Sequence, residues 1–178
     1  MFNKLARCDK AEIDDALFAT LDPKLRDFWL VPANAKCLLA DTVGFVRDLP
    51  HVLVKAFGAT LEEVALADLI VHGRGASLTE ELSDEHAVAV KRVLRQIGVK
   101  AVSAEDFELK RYRETPVLEC WNKCDLREQS APGLRVSAVD GTGVEELGEA
   151  IAEALQLCGE WVGPAYNARW SRTVYTEP

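Results

Sequence analysis

Apolar and polar positions change their spacing several times along the chain, and each change marks an element. Residues 25–32, "LRDFWLVP", and 36–43, "KCLLADTV", are apolar-rich runs flanking a short "ANA" break, which predicts two strands joined by a short turn. In "LPHVLVKAFGATLEEVALAD" the apolar residues Leu53, Ala56, Phe57, Leu61, Val64 and Ala65 recur at helical spacing, with Pro50 suited to a first turn. "DLIVHG" is a short apolar strand that ends in glycine. "SDEHAVAVKRVLRQIG" has Ser83 in a cap position, acids early, bases late and Gly98 at its end, so its charges suit both poles of a helix dipole. "PVLECWNKCD" and "LRVSAVDG" predict two further strands, and "GVEELGEAIAEALQLCGEW" a last helix with Val144, Leu147, Ile151, Ala154, Leu155 and Cys158 on one face. A short helix is expected over "FNKLARCD". No period emerges after Val162.

Strands alternating with helices argue for an α/β fold built on a mostly parallel sheet. The expected division is a domain over residues 1–161 and an unassigned tail over 162–178. The Gly73 and Gly75 of "VHGRGAS" are expected to weaken the strand end there and open a surface loop.

Composition narrows the functional classes. A chain of 178 residues is long enough for one domain with a real core. Its formal charge of −8 argues against DNA binding over the whole surface, because phosphates demand a basic footprint, while leaving RNA contact through one local face open. No apolar run has the length of a membrane span, and the start carries no apolar signal segment. The five cysteines have no paired metal-ligand spacing, which fits reduced thiols in a cytoplasmic protein. Trp29, Trp121, Trp161 and Trp170 are not interleaved with basic residues and read as packing groups.

Four short stretches then carry candidate chemistry, in this order: "LFATLDP" with Thr20, "DTVGF" with Asp41 and Gly44, "NKCD" with Asn122, Lys123 and Asp125, and "VSAVDGTG" with Ser137 and Ala138. A D-x-x-G match alone means little, since average composition yields about 0.7 of them in such a chain, whereas N-K-x-D is expected roughly 0.02 times. D-x-x-G after the second expected strand, N-K-x-D after a later one and S-A after the last make coincidence a poor account. One ligand explains them. Asp125 can accept from both the ring N–H and the exocyclic amine of guanine, a pair adenine does not offer, so it selects GTP over ATP. Asn122 and Lys123 would brace the loop and cover the base, and the Ala138 backbone N–H would meet the guanine oxygen. Asp41 would hold Mg2+ through water, since that ion keeps much of its hydration. The Thr20 hydroxyl would complete the coordination when a third phosphate is present, and Gly44 would let its N–H approach that phosphate without a Cβ in the way. A threonine and a glycine that sense one phosphate make a two-state switch.

These stretches, with the runs "ADTVGFVRDLPHVLVKAFGATLEEVALADLIVH" and "NKCDL", resemble the G domain of the HflX-type GTPases over roughly residues 1 to 160. The resemblance implies a P-loop-GTPase-like α/β fold, GTP and GDP as ligands with Mg2+ as cofactor, a cytoplasmic setting, and the ribosome, through its large subunit, as partner. Phe45 stands where many GTPases carry a water-orienting glutamine, which implies slow hydrolysis until a partner orders the water.

One motif is missing from the run of four. The phosphate cradle has the form G-x-x-x-x-G-K-[S/T]. The glycine pair with that spacing, Gly143 and Gly148, is followed by Glu149. In the resembled family the cradle leads into a helix much like "MFNKL", so Met1 is expected to stand where the cradle ends. Two expectations follow: impaired phosphate binding and turnover, and a sheet that lacks its first, central strand, leaving the strands at 36–43 and 68–73 facing a gap. The alternative reading is a non-catalytic remnant that binds a protein or the ribosome through its remaining surfaces.

Overall fold

The computed structural model describes residues 1–5, 24–31, 33–41, 64–104, 114–126, 133–157 and 172–176. Its core is a six-stranded sheet of β1 (Lys24–Leu30), β2 (Ala35–Asp41), β3 (Leu69–Gly75), β4 (Lys100–Ser103), β5 (Glu114–Asn122) and β6 (Arg172–Thr176), ordered β1-β2-β6-β3-β5-β4. Only β1 and β2 pair antiparallel, as a hairpin whose turn carries Asn34 at φ 49, a left-handed value that asparagine tolerates. The other four ladders are parallel. With helices on both faces this is the expected P-loop-GTPase-like α/β sheet, mostly parallel.

Alternation along each strand sorts side chains to the two faces. Leu39, Leu69, Val71 and Cys120 face one layer, where α1 (Phe2–Leu5) and α3 (Val144–Leu157) supply Leu5, Leu147, Ile151 and Leu155. Ala40, Ile70 and Val117 face the other layer, where α2 (Glu80–Gln96) supplies Val90, Val93 and Leu94. Of the residues assigned to the last helical face, Leu147, Ile151, Ala154 and Leu155 are buried and Val144 packs partly buried against them. Cys158 lies outside the described residues. Cys37, Cys120 and Cys124 are buried. Among the described residues no helix is long and apolar enough to cross a membrane.

Five expectations are corrected. The slot between β2 and β3 is not a gap: the segment 172–176, assigned to nothing from its pattern, runs through it parallel to both neighbours. Its Thr-Val-Tyr-Thr run is rich in strand-forming residues, a signal too short to read by period. The strand ending at Gly73 instead continues to Gly75, because Gly73 and Gly75 pair with Cys120 and Asn122 and the β5 ladder holds the backbone whatever the side chains. The 134–141 strand reduces to a single bridge between Trp121 and Arg135. A four-residue strand, β4, extends the sheet beyond β5, where no element was expected. Finally, Thr79 rather than Ser83 caps α2, its side chain accepting from the Leu82 N–H.

Ser83 has another role. It is buried one turn into α2, and its Oγ accepts from Arg74 Nε at 3.0 Å. The Arg74 guanidinium lies 4.3 Å over the Trp121 ring, and pairs with Asp84 and, at 3.5 Å, with Glu119. Lys91 reaches Glu119 from α2 at 3.2 Å. Trp121 thus packs as expected, whereas Trp29 is 56% exposed on the edge strand. Burial pushes the Glu119 carboxyl up, but Lys91, by charge and hydrogen bond, with His72 and Arg74 behind it, holds it below its ordinary 4.5. A depressed folded-state value stabilises the fold above the unfolded value, and that contribution is lost as pH falls through the folded one. Glu119→Gln is therefore expected to lower the thermal midpoint at pH 7 by no more than a few degrees, and to flatten the acid limb of the stability curve below about pH 4.5, read by thermal melts from pH 7 to 3.

Candidate functional site

Parallel strands deliver their C-terminal ends to one edge of a sheet, and in open α/β sheets that edge is where ligands bind. Here it receives Asp41 from β2 and Asn122 from β5, with the loops that follow. Asn122 is buried, and the chain then turns sharply through Lys123 at φ 62 into a single 3-10 turn, Cys124–Leu126. The Cys124 N–H donates to Val136 O, and Val136 N–H to Trp121 O, so this loop and the 134–138 segment are fastened side by side.

Ser137 is the joint between them. Fully buried, its Oγ donates to Asp125 Oδ1 at 2.6 Å and accepts from the Val139 and Asp140 N–H groups at 3.2 and 3.3 Å. The hydroxyl is satisfied in both directions, and the Asp125 carboxylate is held by one oxygen while the residue itself stays exposed. Ala138 follows, half-buried, at the start of a turn that closes when Gly141 N–H donates to Ser137 O. Asp140 Oδ1 accepts from Thr142 N–H at 2.8 Å, and this bond, chiefly, draws its carboxyl below the ordinary 3.8. Two glycines shape the turn into α3. Gly141 has φ 90; Gly143 has φ 71, and a Cβ there would stand 1.7 Å from Arg135 O.

Asp41, 8% exposed, ends β2. Between β2 and β5 stand β6 and β3, so three strand spacings, about 14 Å, separate the two ends across the sheet. Asp41 pairs with Thr176 and thereby stands level with Val71, whereas Asn122 stands level with Gly75, further along the strand direction. The Met1 amino group lies within the field of both: burial lowers its pKa, the Asp41 carboxylate opposes that, and the Lys123 ammonium adds to it. The Asp41 end and the 122–125 loop thus both lie at the C-terminal edge of the sheet, with β6 and β3 between them. The Asn122 Oδ1 is buried with no hydrogen-bond partner among the described residues, an acceptor of the kind that costs about 1–3 kcal/mol when unmet. Thr20 and Gly44 lie outside the described residues.

Among the described residues no group of three or more His, Cys, Asp or Glu side chains assembles as a metal centre. One buried carboxylate is still a fitting donor for Mg2+, which takes one or two protein oxygens and fills the rest of its shell with phosphate and water. What sequence reasoning missed is the donor that Asp125 depends on: "SA" carried no signal for the Ser137 hydroxyl, because the contact joins loops twelve residues apart.

The parallel order, the helices on both faces and this pair of loops define a P-loop-GTPase-like domain. No protein-family model matches the chain. Curated relatives do. It is 38% identical over 159 residues to the GTPase HflX of Caldanaerobacter subterraneus subsp. tengcongensis, covering 87% of this chain and 33% of that protein. It is 36% identical over 190 residues to the GTPase HflX of Magnetococcus marinus, covering 99% of this chain and 40% of that one. It is 34% identical over 166 residues to the GTPase HflX of Escherichia coli strain K12, covering 87% and 35%. The chain belongs to the HflX-type GTPase family, and spans between a third and two fifths of the length of these relatives.

The turn into α3 can be tested directly. Because the Gly143 Cβ would meet backbone rather than a yielding side chain, Gly143→Ala should cost more than about 1 kcal/mol, read as a lower denaturation midpoint with an unchanged m-value. Gly148→Ala, within α3 and with open space around its Cβ, should be neutral or slightly stabilising.

Proposed function

We propose that this chain is the base-reading and magnesium-holding part of an HflX-like GTP-binding switch. The reading rests on one observation above all: the Ser137 hydroxyl fixes an otherwise exposed Asp125 by a single carboxylate oxygen. A carboxylate has about four acceptor sites, so this bond leaves enough for the two N–H donors of guanine and sets the plane in which they must arrive. Lys123, in a left-handed turn and exposed, would lie along the base, and the Ala138 N–H would meet the guanine oxygen. Asp41, further along the same edge of the sheet, suits an extended nucleotide with its base at one end and its phosphates at the other. Mg2+ would bind there with the phosphates and neutralise their charge, with Thr20 as a further ligand and the Gly44 N–H toward the terminal phosphate.

The 178 residues contain no G-x-x-x-x-G-K-[S/T] run. A base grip without a phosphate cradle should bind guanine nucleotides weakly and turn them over little. By membership in its family, the switch would act at the ribosome, through the large subunit, in the cytoplasm.

Binding of fluorescent GDP, GTP and ADP analogues to the purified chain tests the proposal. The expected result is saturable guanine binding in the high micromolar range or weaker, at least tenfold tighter than adenine. Asp125→Asn should abolish that preference and shift it toward xanthine nucleotides, whose ring presents the complementary group. Submicromolar GTP affinity would overturn the impaired phosphate grip. An unchanged base preference in the variant would remove Asp125 as the reader.

A further inference from the structure

Residues 137–142 form a loop that closes almost entirely on itself. The Ser137 N–H donates to Thr142 O at 2.8 Å, and the Gly141 N–H to Ser137 O at 3.0 Å. The Val139 and Asp140 N–H groups donate to Ser137 Oγ, and the Thr142 N–H donates to Asp140 Oδ1 at 2.8 Å. Among the described residues these bonds take up the N–H of every member of the loop except Ala138. One of the closures depends on an exposed side chain, that of Asp140. It acts where the backbone is loosest, because Thr142 stands between Gly141 at φ 90 and Gly143 at φ 71. Thr142 is thereby held at both its N–H and its carbonyl oxygen.

We propose that Asp140 is a positioning residue for base recognition: by accepting the Thr142 N–H it locks the 137–142 loop in the shape that aims the Asp125 carboxylate and the Ala138 N–H at one base. The inference rests on the base-reading role proposed above for those two groups. The lock works through Ser137, which Asp140 reaches by two routes. The Asp140 backbone N–H steadies the Ser137 Oγ that donates to Asp125, and the Asp140 carboxylate steadies Thr142, whose carbonyl oxygen holds the Ser137 N–H. Loosening the loop would swing the Asp125 acceptor and the Ala138 donor off the common plane in which guanine presents its N–H groups and its oxygen. What position 140 needs is a side-chain oxygen short enough to meet an N–H two residues on, not a negative charge. Asparagine supplies that oxygen. Glutamate, one methylene longer, does not.

Binding of fluorescent GDP, IDP and ADP analogues to the unsubstituted chain and to Asp140→Ala, Asp140→Glu and Asp140→Asn tests it, since the inosine base lacks the exocyclic amine that Asp125 would accept. Asp140→Ala and Asp140→Glu should each lower the preference for GDP over IDP by about threefold or more, and Asp140→Asn should keep it within about twofold. All three should melt within about 3 °C of the unsubstituted chain, because the side chain is exposed. Hydrogen exchange without nucleotide gives a second readout. The Ser137 and Thr142 amides should exchange about fivefold faster or more in Asp140→Ala and Asp140→Glu and at the unsubstituted rate in Asp140→Asn, with the Leu147 and Ile151 amides of α3 unchanged. If the unsubstituted chain shows no guanine preference, the base reading fails, and this role with it. If it shows that preference and Asp140→Ala keeps or sharpens it, this proposal alone fails. An intact Asp140→Glu beside an impaired Asp140→Asn would also overturn it, since charge rather than the bond would then be at work.

Discussion

The middle of a parallel sheet cannot be left open. Each central strand presents N–H and C=O groups on both sides, and with helices over both faces water reaches neither, so an unfilled slot leaves a row of unmet polar groups where each costs most. Everything else in this molecule presupposes that the slot between β2 and β3 is filled. With β6 in place, the two blocks share one sheet, α1 and α3 cover one continuous face, and α2 covers the other. The same constraint brings Asp41 and the 122–125 loop to one edge, since each is delivered by the end of a strand whose position is set by its neighbours.

The site shows how little side-chain machinery is needed once the backbone is fixed. Asp125 is oriented by one hydroxyl, which is itself held by two backbone N–H groups, which belong to a turn closed by Gly141 and made passable by Gly143. No step in that chain of supports is an ion pair, so it does not weaken as salt rises. The charged cluster of Arg74, Glu119, Lys91 and Asp84 works elsewhere, fixing α2 to the sheet over Trp121.

The legible part of the fold was the part carried by period. The β1–β2 hairpin, α2, β5 and α3 announced themselves because burial on one face forces apolar residues into a regular rhythm. The rest is decided by partners that no local window contains. β6 is five residues whose assignment depends on a slot more than a hundred residues away. The glycines at 73 and 75 read as a break because glycine weakens strands on average, yet pairing with Cys120 and Asn122 supplies the order their side chains do not. Ser83 looked like a cap because serine competes well for that position, but Arg74 had already claimed its hydroxyl. In the site, the acidic strand end and the N-K-x-D loop could be read as types. The tether from Ser137 to Asp125 could not, because it is a tertiary contact between two loops.

The two kinds of residue also answer to different demands. Ser137, Gly143 and Val136 are buried or sterically pinned and hold the loop in shape, whereas Lys123 and Asp125 are exposed. An exposed carboxylate anchored through one oxygen to a buried hydroxyl stays aimed, because that hydroxyl is itself held by two backbone N–H groups. Burying Asp125 to fix its direction would have hidden the carboxylate from any ligand. Placing the rigidity in a second residue, Ser137, separates direction from exposure, which is the arrangement the proposed base-reading role calls for.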